Sequence, residues 1–324
     1  LDSVPKFPWN MSLGAISDDK LIESIGAEIG IQFKRLGVHM NFAPVIDINT
    51  NSKNPIIGNR SFGESKINVS DKGISFTKGL QSKNILATAK HFPGHGDTSK
   101  DSHLTLPTIN FDANRIKEVE LYPFKELIKN GLSAVMVAHL NVPSLEKKSM
   151  LPSTLSKNII EDLLIKQLDF NGLIVTDALE MKGVSEFTKK NVDLMAFLAG
   201  NDILLMSSDI SKGVKSIKKS YKKGRITEER LSRSVKKILR AKYKVGLNSY
   251  TPTDAGNLIK NLNTESTKNL IQNSIESIPA LVKNDDNLLP LKLDTESILN
   301  IQFGNDDGFV SVSYTHLRAH ETDR

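Results

Sequence analysis

Three of the seven histidines of this chain fall between positions 91 and 103. The segment 90–97 reads KHFPGHGD, and the triplet DSH follows at 101–103. The proline and the glycines predict a shaped loop and not a helix. Because histidines are seldom clustered in a loop for packing alone, this segment is a candidate chemical site. Loop stabilisation through hydrogen bonds to the backbone is the structural alternative.

The triplet at 101–103 is suited to acid/base chemistry. The carboxylate of Asp101 can bind one ring nitrogen of His103, which fixes the tautomer and raises the pKa of the imidazole. The other ring nitrogen can then give or take a proton near neutral pH. A D-x-H triplet is a weak motif alone, and the Lys90-His91 pair at the end of a predicted strand strengthens it.

A metal site is the alternative chemistry for the same histidines. Zinc accepts imidazole and carboxylate ligands, and the loop offers His91, His95, His103, Asp97 and Asp101. An H-x3-H pair binds a metal best from one face of a helix, and the Pro-Gly pair breaks that geometry. The sequence therefore favours acid/base work, and we expect neither a metal nor a cofactor.

A second ionisable centre is Asp177, which directly follows the apolar run 173–176. A carboxylate at the rim of an apolar core is costly to bury without a partner. Asp177 can be the N-cap of a following helix, or it can be a carboxylate nucleophile. A nucleophile of this kind, with a proton donor for the leaving oxygen, makes a retaining glycosidase. The cations Arg60 and Lys90 suit a polar substrate, although Arg60 can also be an ordinary surface arginine.

These side chains must be positioned by strands that alternate with helices. Short apolar runs predict buried strands at 38–48, 85–90, 134–138, 173–176 and 203–206. Amphipathic patterns predict helices at 19–36, 119–129, 155–168, 227–243 and 266–277. Alternation of this kind implies parallel βα units. We therefore predict an α/β fold, a TIM-like (β/α)8 barrel with its chemistry at the C-terminal ends of the strands. A doubly wound sheet also fits, although no G-x-G-x-x-G follows any strand.

Composition excludes several classes of protein. The 324 residues are 39% hydrophobic and 25% charged, which is ordinary for a folded protein and rules out a disordered or collagen-like chain. No apolar stretch approaches the ~18 residues of a transmembrane helix. The absence of cysteine excludes disulfides and thiolate zinc sites. The net charge is +6, and the densest group of lysines lies at 215–223. This run predicts a solvated helix face, and a surface that binds anionic lipid or nucleic acid is the alternative.

The chain divides into four predicted regions. Five strands are fewer than the eight of a closed barrel, so we expect further strands upstream of Leu1. A catalytic barrel truncated at its N-terminus is predicted over 1–246, and a linker and helix over 247–279. The beginning of a second α/β domain is predicted over 280–310. The tail 311–324 is expected to be non-native, and its histidines are left out of the site.

Four ordered motifs, at 59–62, 90–97, 101–103 and 175–181, resemble glycoside hydrolase family 3. They look most like its bacterial β-N-acetylhexosaminidase branch, whose enzymes are associated with peptidoglycan recycling. The resemblance implies a TIM-like barrel, sometimes followed by an α/β sandwich domain. The chain begins at Leu1 without a signal-peptide pattern, as we expect of the interior of a longer protein, so the compartment, bacterial cytoplasm or periplasm, stays open.

The resemblance also implies a role for each motif residue. Asp177 would be the nucleophile that forms a covalent glycosyl-enzyme, His103 the general acid/base and Asp101 the residue that orients it. The residues implied to bind the sugar are Arg60, Lys90 and His91. The implied reaction removes terminal non-reducing N-acetyl-β-D-hexosamine (N-acetylglucosamine) from a carbohydrate substrate, either a glycan or a muropeptide. We expect no nucleic-acid partner, no membrane span and no cofactor.

One element of the family pattern is missing. The substrate-binding aspartate in an Asp-x-Glu-x-Gly-like context has no match, and we expect it upstream of Leu1.

Two alternative functions remain open. The chain can be a β-glucosidase or β-xylosidase of the same family, or a catalytically silent carbohydrate-binding fragment. The implied acid/base, His103, is a neutral imidazole after it has given its proton to the leaving group. Unlike a carboxylate in the same role, it would not repel an anionic acceptor, so phosphate could compete with water at the glycosyl-enzyme.

Overall fold

A parallel sheet organises the protein. The computed structural model describes residues 4–98, 105–185, 187 and 191–279. In these ranges the strands are Met40–Asn41 (β1), Leu86–Phe92 (β2), Ala134–Val137 (β3) and Leu173–Thr176 (β4). All three strand pairs are parallel. The prediction of an α/β fold with a parallel sheet is confirmed.

The strands follow one another in space as they do in sequence. Their order in the sheet is β1-β2-β3-β4, and an isolated parallel bridge between Val175 and Ile203 extends the order past β4. A doubly wound sheet reverses its strand order at a switch point, whereas a barrel adds strands in sequence order. The described strands therefore favour the barrel, and its closure stays a prediction.

Two predicted strands are shorter than expected. In the segment 38–48 only Met40–Asn41 is a strand, because Pro44 has no N–H for a ladder hydrogen bond. The chain still runs beside β2, where the amide of Ile46 donates to the carbonyl of Lys90 at 2.9 Å. In the segment 203–206 the pairing is reduced to the bridge at Ile203, since the amide of Leu205 donates to the Thr176 side-chain hydroxyl at 2.9 Å and not to a backbone carbonyl.

Helices cover the sheet. The α-helices of the described residues are α1 (Asn10–Leu13), α2 (Asp19–Arg35), α3 (Lys66–Ser82), α4 (Ala113–Glu118), α5 (Tyr122–Lys129), α6 (Lys182–Ser185), α7 (Val192–Ala199), α8 (Ile210–Lys222), α9 (Glu228–Lys244), α10 (Leu258–Leu262) and α11 (Glu265–Glu276). Side-chain caps begin the longer ones. The Asp18 carboxylate accepts from the amide of Lys20, and the Thr227 hydroxyl accepts from the amide of Arg230.

Glycines bring α2 and α3 into close contact. A Cβ added at Gly79 would lie 2.1 Å from the carbonyl oxygen of Glu23, and one at Gly26 would lie 2.4 Å from that of Phe76. The two backbones can approach this closely only because neither position carries a side chain. The two helices therefore pack tightly against each other, and α3 also contacts β2.

The helix predictions hold with corrected boundaries. The pattern at 119–129 covers the turn after α4 and the whole of α5. The pattern at 155–168 is a π-helical segment over Asn158–Gln167 after a short 3-10 turn. The Ser156 hydroxyl accepts from the amide of Ile159 at the start of this segment. The predicted linker after 246 contains α10 and is not entirely irregular.

The core lies between the sheet and the helices. Every residue of β3 and β4 is buried, as is typical of parallel strands covered on both faces. The lysines of the run 215–223 are exposed on and after α8, as a solvated face requires. None of the helices in the described ranges is long and apolar enough to cross a membrane. The predicted second domain at 280–310 and the tail at 311–324 lie outside the described residues.

Candidate active site

Ionisable side chains meet at the C-terminal ends of the strands. Lys90 and His91 lie near the end of β2, His139 lies two residues after β3, and Asp177 directly follows β4. Because parallel strands end on the same edge of the sheet, the topology brings these side chains together. The amide of Asp177 donates to the carbonyl of Val137 at 2.9 Å, which continues the β3–β4 ladder up to the candidate nucleophile.

Asp47 holds His91 in place through hydrogen bonds to its ring and its backbone. Its Oδ2 lies 2.6 Å from His91 Nδ1, and its Oδ1 accepts from the backbone amides of His91 and His95 at 3.1 and 2.7 Å. The Asp47 side chain is fully buried. Burial by itself raises the pKa of Asp47, but its interactions with His91 and His95 outweigh burial and hold the pKa below the ordinary value.

Arg60 ends a 3-10 turn, Gly58–Arg60, and contacts the same imidazole. Its Nη2 lies 3.4 Å from Nε2 of His91, and its Nη1 donates to the carbonyl of Ile56 at 3.0 Å. The turn is fixed to the segment after β1, because the Ser61 hydroxyl donates to the carbonyl oxygen of Asp47 at 2.6 Å. Arg60 is thus held over the site and is not a free surface arginine.

Lys90 supplies a second cation beside Asp177. Burial, and then the positive charge of Arg60, lower the pKa of Lys90. The carboxylates of Asp177 and Asp47 act in the opposite direction. The site therefore holds two cations and two carboxylates in a largely buried cluster, in which each charge compensates another.

Asp177 is held as an ionised carboxylate. Its Oδ1 accepts from the amide of Ala178 at 2.8 Å. Burial alone would raise the pKa of Asp177, but the nearby His91 and His139, the Ala178 hydrogen bond and Lys90 lower it below the ordinary value. The N-cap alternative is wrong, because the next helix, α6, begins at Lys182. An ionised carboxylate at the end of a strand can act as a nucleophile.

His95 is a buried neutral imidazole. Its Nδ1 lies 2.7 Å from the Thr98 hydroxyl. Burial, and then the neighbouring His91, lower the pKa of His95 to about 4. Among the described residues no group of three His, Asp or Glu side chains could hold a metal ion, and two of the candidate ligands, Asp101 and His103, lie outside those residues.

Glycine allows the loop after β2 to approach the site closely. A Cβ added at Gly96 would lie 1.8 Å from the carbonyl oxygen of Ile48. The adjacent Asn54 amide donates to the carbonyls of His95 and Gly96 at 2.8 and 3.0 Å. The described residues stop at Thr98 on this loop, and the predicted acid/base pair Asp101 and His103 lies outside them.

The structure therefore brings together Arg60, Lys90, His91 and Asp177 among the predicted site residues. It adds Asp47 and His139, to which the sequence analysis assigned no role. Each of them lies at or just after the C-terminal end of a predicted strand, as Asp177 does. This shared position could have identified both residues from the sequence. Their partners lie 15 to 44 residues away along the chain, which no local pattern shows.

Comparisons with known proteins agree with this arrangement. The model described as "Glycosyl hydrolase family 3 N terminal domain" matches residues 1–241. The chain is 32% identical over 314 residues to "Beta-hexosaminidase A" of Pseudoalteromonas piscicida, covering 90% of the chain and 52% of that protein. It is 28% identical over 295 residues to the "Beta-N-acetylglucosaminidase/beta-glucosidase" of Cellulomonas fimi, covering 87% of the chain and 52% of that protein.

A solved structure gives the same result. The chain matches the glycoside hydrolase family 3 β-N-acetylglucosaminidase from Paenibacillus sp. str. FPU-7 with a TM-score of 0.79 and 38% sequence identity. The match covers 85% of this chain and 53% of that one. The chain thus spans about half the length of these relatives.

Proposed function

The chain belongs to glycosyl hydrolase family 3, and from that premise we propose that the protein is a retaining β-N-acetylhexosaminidase that removes terminal N-acetylglucosamine. The observation that carries this proposal is the ionised Asp177 at the end of β4, surrounded by Lys90, His91 and His139. The hexosaminidases among its relatives supply the substrate class. Turnover of cell-wall or other glycans is the proposed role.

In the proposed first step, the Asp177 carboxylate attacks the anomeric carbon of the sugar. A C–O bond forms between Asp177 and the sugar, and the bond to the leaving oxygen breaks. His103, oriented by Asp101, gives its proton to that oxygen. Water then attacks the glycosyl-enzyme, His103 takes a proton from the water, and the Asp177 carboxylate is released with the anomeric configuration retained.

The basic residues at the site suit the binding of the sugar. Arg60 and Lys90 are N–H donors for hydroxyl or acetamido oxygens. His91 is fixed through its Nδ1 by Asp47, so its Nε2 is directed toward the side of the site from which Arg60 approaches. These three residues would hold the sugar with its anomeric carbon against Asp177, in a TIM-like barrel to which the described strands contribute one arc.

A β-glucosidase is the alternative within the family. Its support is the Cellulomonas fimi relative, whose name carries both activities. The two substrates differ at carbon 2, where an acetamido group replaces a hydroxyl. The ratio of kcat/KM values for the two sugars therefore separates the functions.

The test is hydrolysis by the full-length protein. An aryl N-acetyl-β-glucosaminide is compared with the matching aryl β-glucoside, for the wild type and for Asp177→Asn, His103→Ala and Asp162→Asn. Asp162 is a matched control because, among the described residues, its side chain forms an ion pair with the exposed Lys166 and lies outside the site. We expect preference for the acetamido sugar and loss of at least 1,000-fold in kcat for Asp177→Asn, in line with the loss of a covalent nucleophile. Preference for the glucoside, or an active Asp177→Asn, would refute the proposal.

The same reactions with added inorganic phosphate show whether phosphate competes with water. Sugar 1-phosphate among the products would mean that phosphate accepts the glycosyl group. Its absence at high phosphate would reject that branch of the mechanism and leave hydrolysis in place.

A further inference from the structure

His139 is a buried imidazole that the proposed reaction does not use. It follows β3, and its side chain has no exposed surface. Nδ1 lies 2.6 Å from the Thr154 hydroxyl oxygen, and Nε2 lies 2.9 Å from the carbonyl oxygen of Ala178. Ala178 is the residue after the proposed nucleophile, so His139 contacts the backbone that carries Asp177.

The contact at Nε2 requires a proton on that nitrogen. A carbonyl oxygen has no hydrogen to donate and can only accept. At 2.9 Å from the oxygen of Ala178, Nε2 of His139 must therefore be the donor.

The contact at Nδ1 requires a second proton on the same ring. The Thr154 hydroxyl has one hydrogen, and its oxygen lies 2.5 Å from the carbonyl oxygen of Ala138. Two oxygens approach to 2.5 Å only with a hydrogen between them. Because the carbonyl cannot donate, the Thr154 hydrogen is used in that bond, and the hydroxyl oxygen must accept from Nδ1 of His139.

Hydrogen bonds hold Thr154 and its neighbour Ser153 in place. The Asn201 side chain donates to the Thr154 carbonyl at 2.9 Å, and the Ser153 hydroxyl donates to the same Ala138 oxygen at 2.6 Å. Thr154 also lies in a short 3-10 turn over Ser153–Leu155. The acceptor for Nδ1 is therefore built into the fold.

We propose that His139 is protonated on both ring nitrogens and acts as a positively charged positioning residue for Asp177. This proposal rests on the proposed role of Asp177 as nucleophile. Through Nε2 the imidazolium holds the carbonyl of Ala178, while the amide of that same residue donates to Asp177 Oδ1 at 2.8 Å. His139 thus fixes the direction of the carboxylate and supplies a charge that favours its ionised form.

The ionised Asp177 close to His139 supports a cation at this position. The interaction with His139 is one of the influences that lower the pKa of Asp177 against the effect of burial. The other charged or titratable groups that face this pair from neighbouring elements of the described structure are Lys90, His91, His95, Asp47 and Arg60. His95 has a pKa of about 4 and carries no charge at neutral pH, and the cation Lys90 is shared between two carboxylates.

Neutron diffraction from deuterium-exchanged crystals of the full-length wild-type protein at pH 7 tests the proposal directly. We expect deuterium on both ring nitrogens of His139. Deuterium on only one of them would overturn the proposal. This readout does not depend on turnover, so a protein without hexosaminidase activity would still test the charge of His139, and an active one with a neutral His139 would refute this inference alone.

The pH profile of kcat/KM tests the consequence for Asp177. Loss of the cation raises the pKa of a carboxylate, so His139→Gln should move the acidic limb to higher pH by about one unit. Thr154→Val removes the acceptor for Nδ1 and should move the limb in the same direction, whereas Thr154→Ser keeps the hydroxyl and should restore the wild-type position. A merely structural role would lower stability in His139→Gln and Thr154→Val and leave the limb where it is in the wild type.

Discussion

Asp47 and Asp177 are buried carboxylates that stay ionised for the same physical reason. Burial opposes ionisation of both, and in both an imidazole and backbone amides outweigh burial. The two carboxylates have different roles because their positions differ. Asp47 is enclosed and holds His91, whereas Asp177 stands at the end of a strand with its carboxylate directed to the site.

Asp47→Asn tests this division at the residue level. The amide would put an N–H or a weaker acceptor where three N–H groups now meet a carboxylate. We expect about 2–4 kcal/mol lower free energy of unfolding in urea, together with a higher KM, because a buried charged acceptor is lost and His91 is released. Asp18→Asn, at an exposed N-cap where both residue types serve, should change the free energy of unfolding by less than about 0.5 kcal/mol. Equal effects of the two substitutions would contradict the anchoring role.

His95 should make the protein less stable in mild acid. Its pKa falls from 6.5 to about 4 on folding, so between these values the unfolded state binds the proton that the folded state excludes. Stability is then fully present above pH 6.5 and is lost as the pH falls toward 4, by about 3 kcal/mol at 1.36 kcal/mol per pKa unit.

The measurement is the urea unfolding free energy at pH 7 and pH 4.5 for the wild type and for His95→Gln, with His39→Gln as the control for loss of a half-buried imidazole outside the site. The difference between the two pH values should shrink in His95→Gln. A slope that is unchanged in His95→Gln, or shrinks equally in His39→Gln, would be incompatible with a buried neutral His95.

At the scale of elements, strand ends were predictable and loop contacts were not. The runs 134–138 and 173–176 are apolar except for Thr176, so the sequence pattern alone indicates β3 and β4 and places His139 and Asp177 at their ends. The strand predicted at 38–48 shortens because Pro44 interrupts its ladder. A hydrogen bond between residues 44 positions apart, such as that of Asp47 and His91, depends on the register of β1 against β2 and leaves no local pattern.

Gly96 tests the loop that brings these elements together. Gly96→Ala would place a Cβ 1.8 Å from the carbonyl oxygen of Ile48, so the loop must shift away and the amide of His95 must lengthen its bond to Asp47. We expect a loss of about 1–3 kcal/mol in the free energy of unfolding, as for overpacked sites, and a lower kcat/KM.

Gly224→Asn is the matched control for this substitution. Gly224 has φ of +68° with open space around it, a conformation that asparagine tolerates. It should change the free energy of unfolding by less than about 0.5 kcal/mol and leave kcat/KM at the wild-type value. A neutral Gly96→Ala would contradict the close approach of the loop.

At the scale of the whole molecule, the strand order supports the proposed function. Four parallel strands in sequential order bring residues from β2, β3 and β4 to one edge, which is the arrangement that supplies an active site from several strand ends. The α/β class and this edge followed from the alternation of apolar runs with helices. The choice of Asp177 as the proposed nucleophile rested on the resemblance of four motifs, because an aspartate after a strand is in itself as consistent with a helix cap.

The covalent bond to Asp177 is the central claim, and trapping it is the most direct test. Full-length protein is treated with an N-acetylglucosamine analogue that carries a slowing fluorine and an activated leaving group, then digested and analysed by peptide mass spectrometry. We predict one glycosyl group on the peptide that contains Asp177, formed also in His103→Ala because an activated leaving group needs no proton, and absent in Asp177→Asn. A glycosyl group on another residue, or release of product with inverted anomeric configuration, would contradict the account.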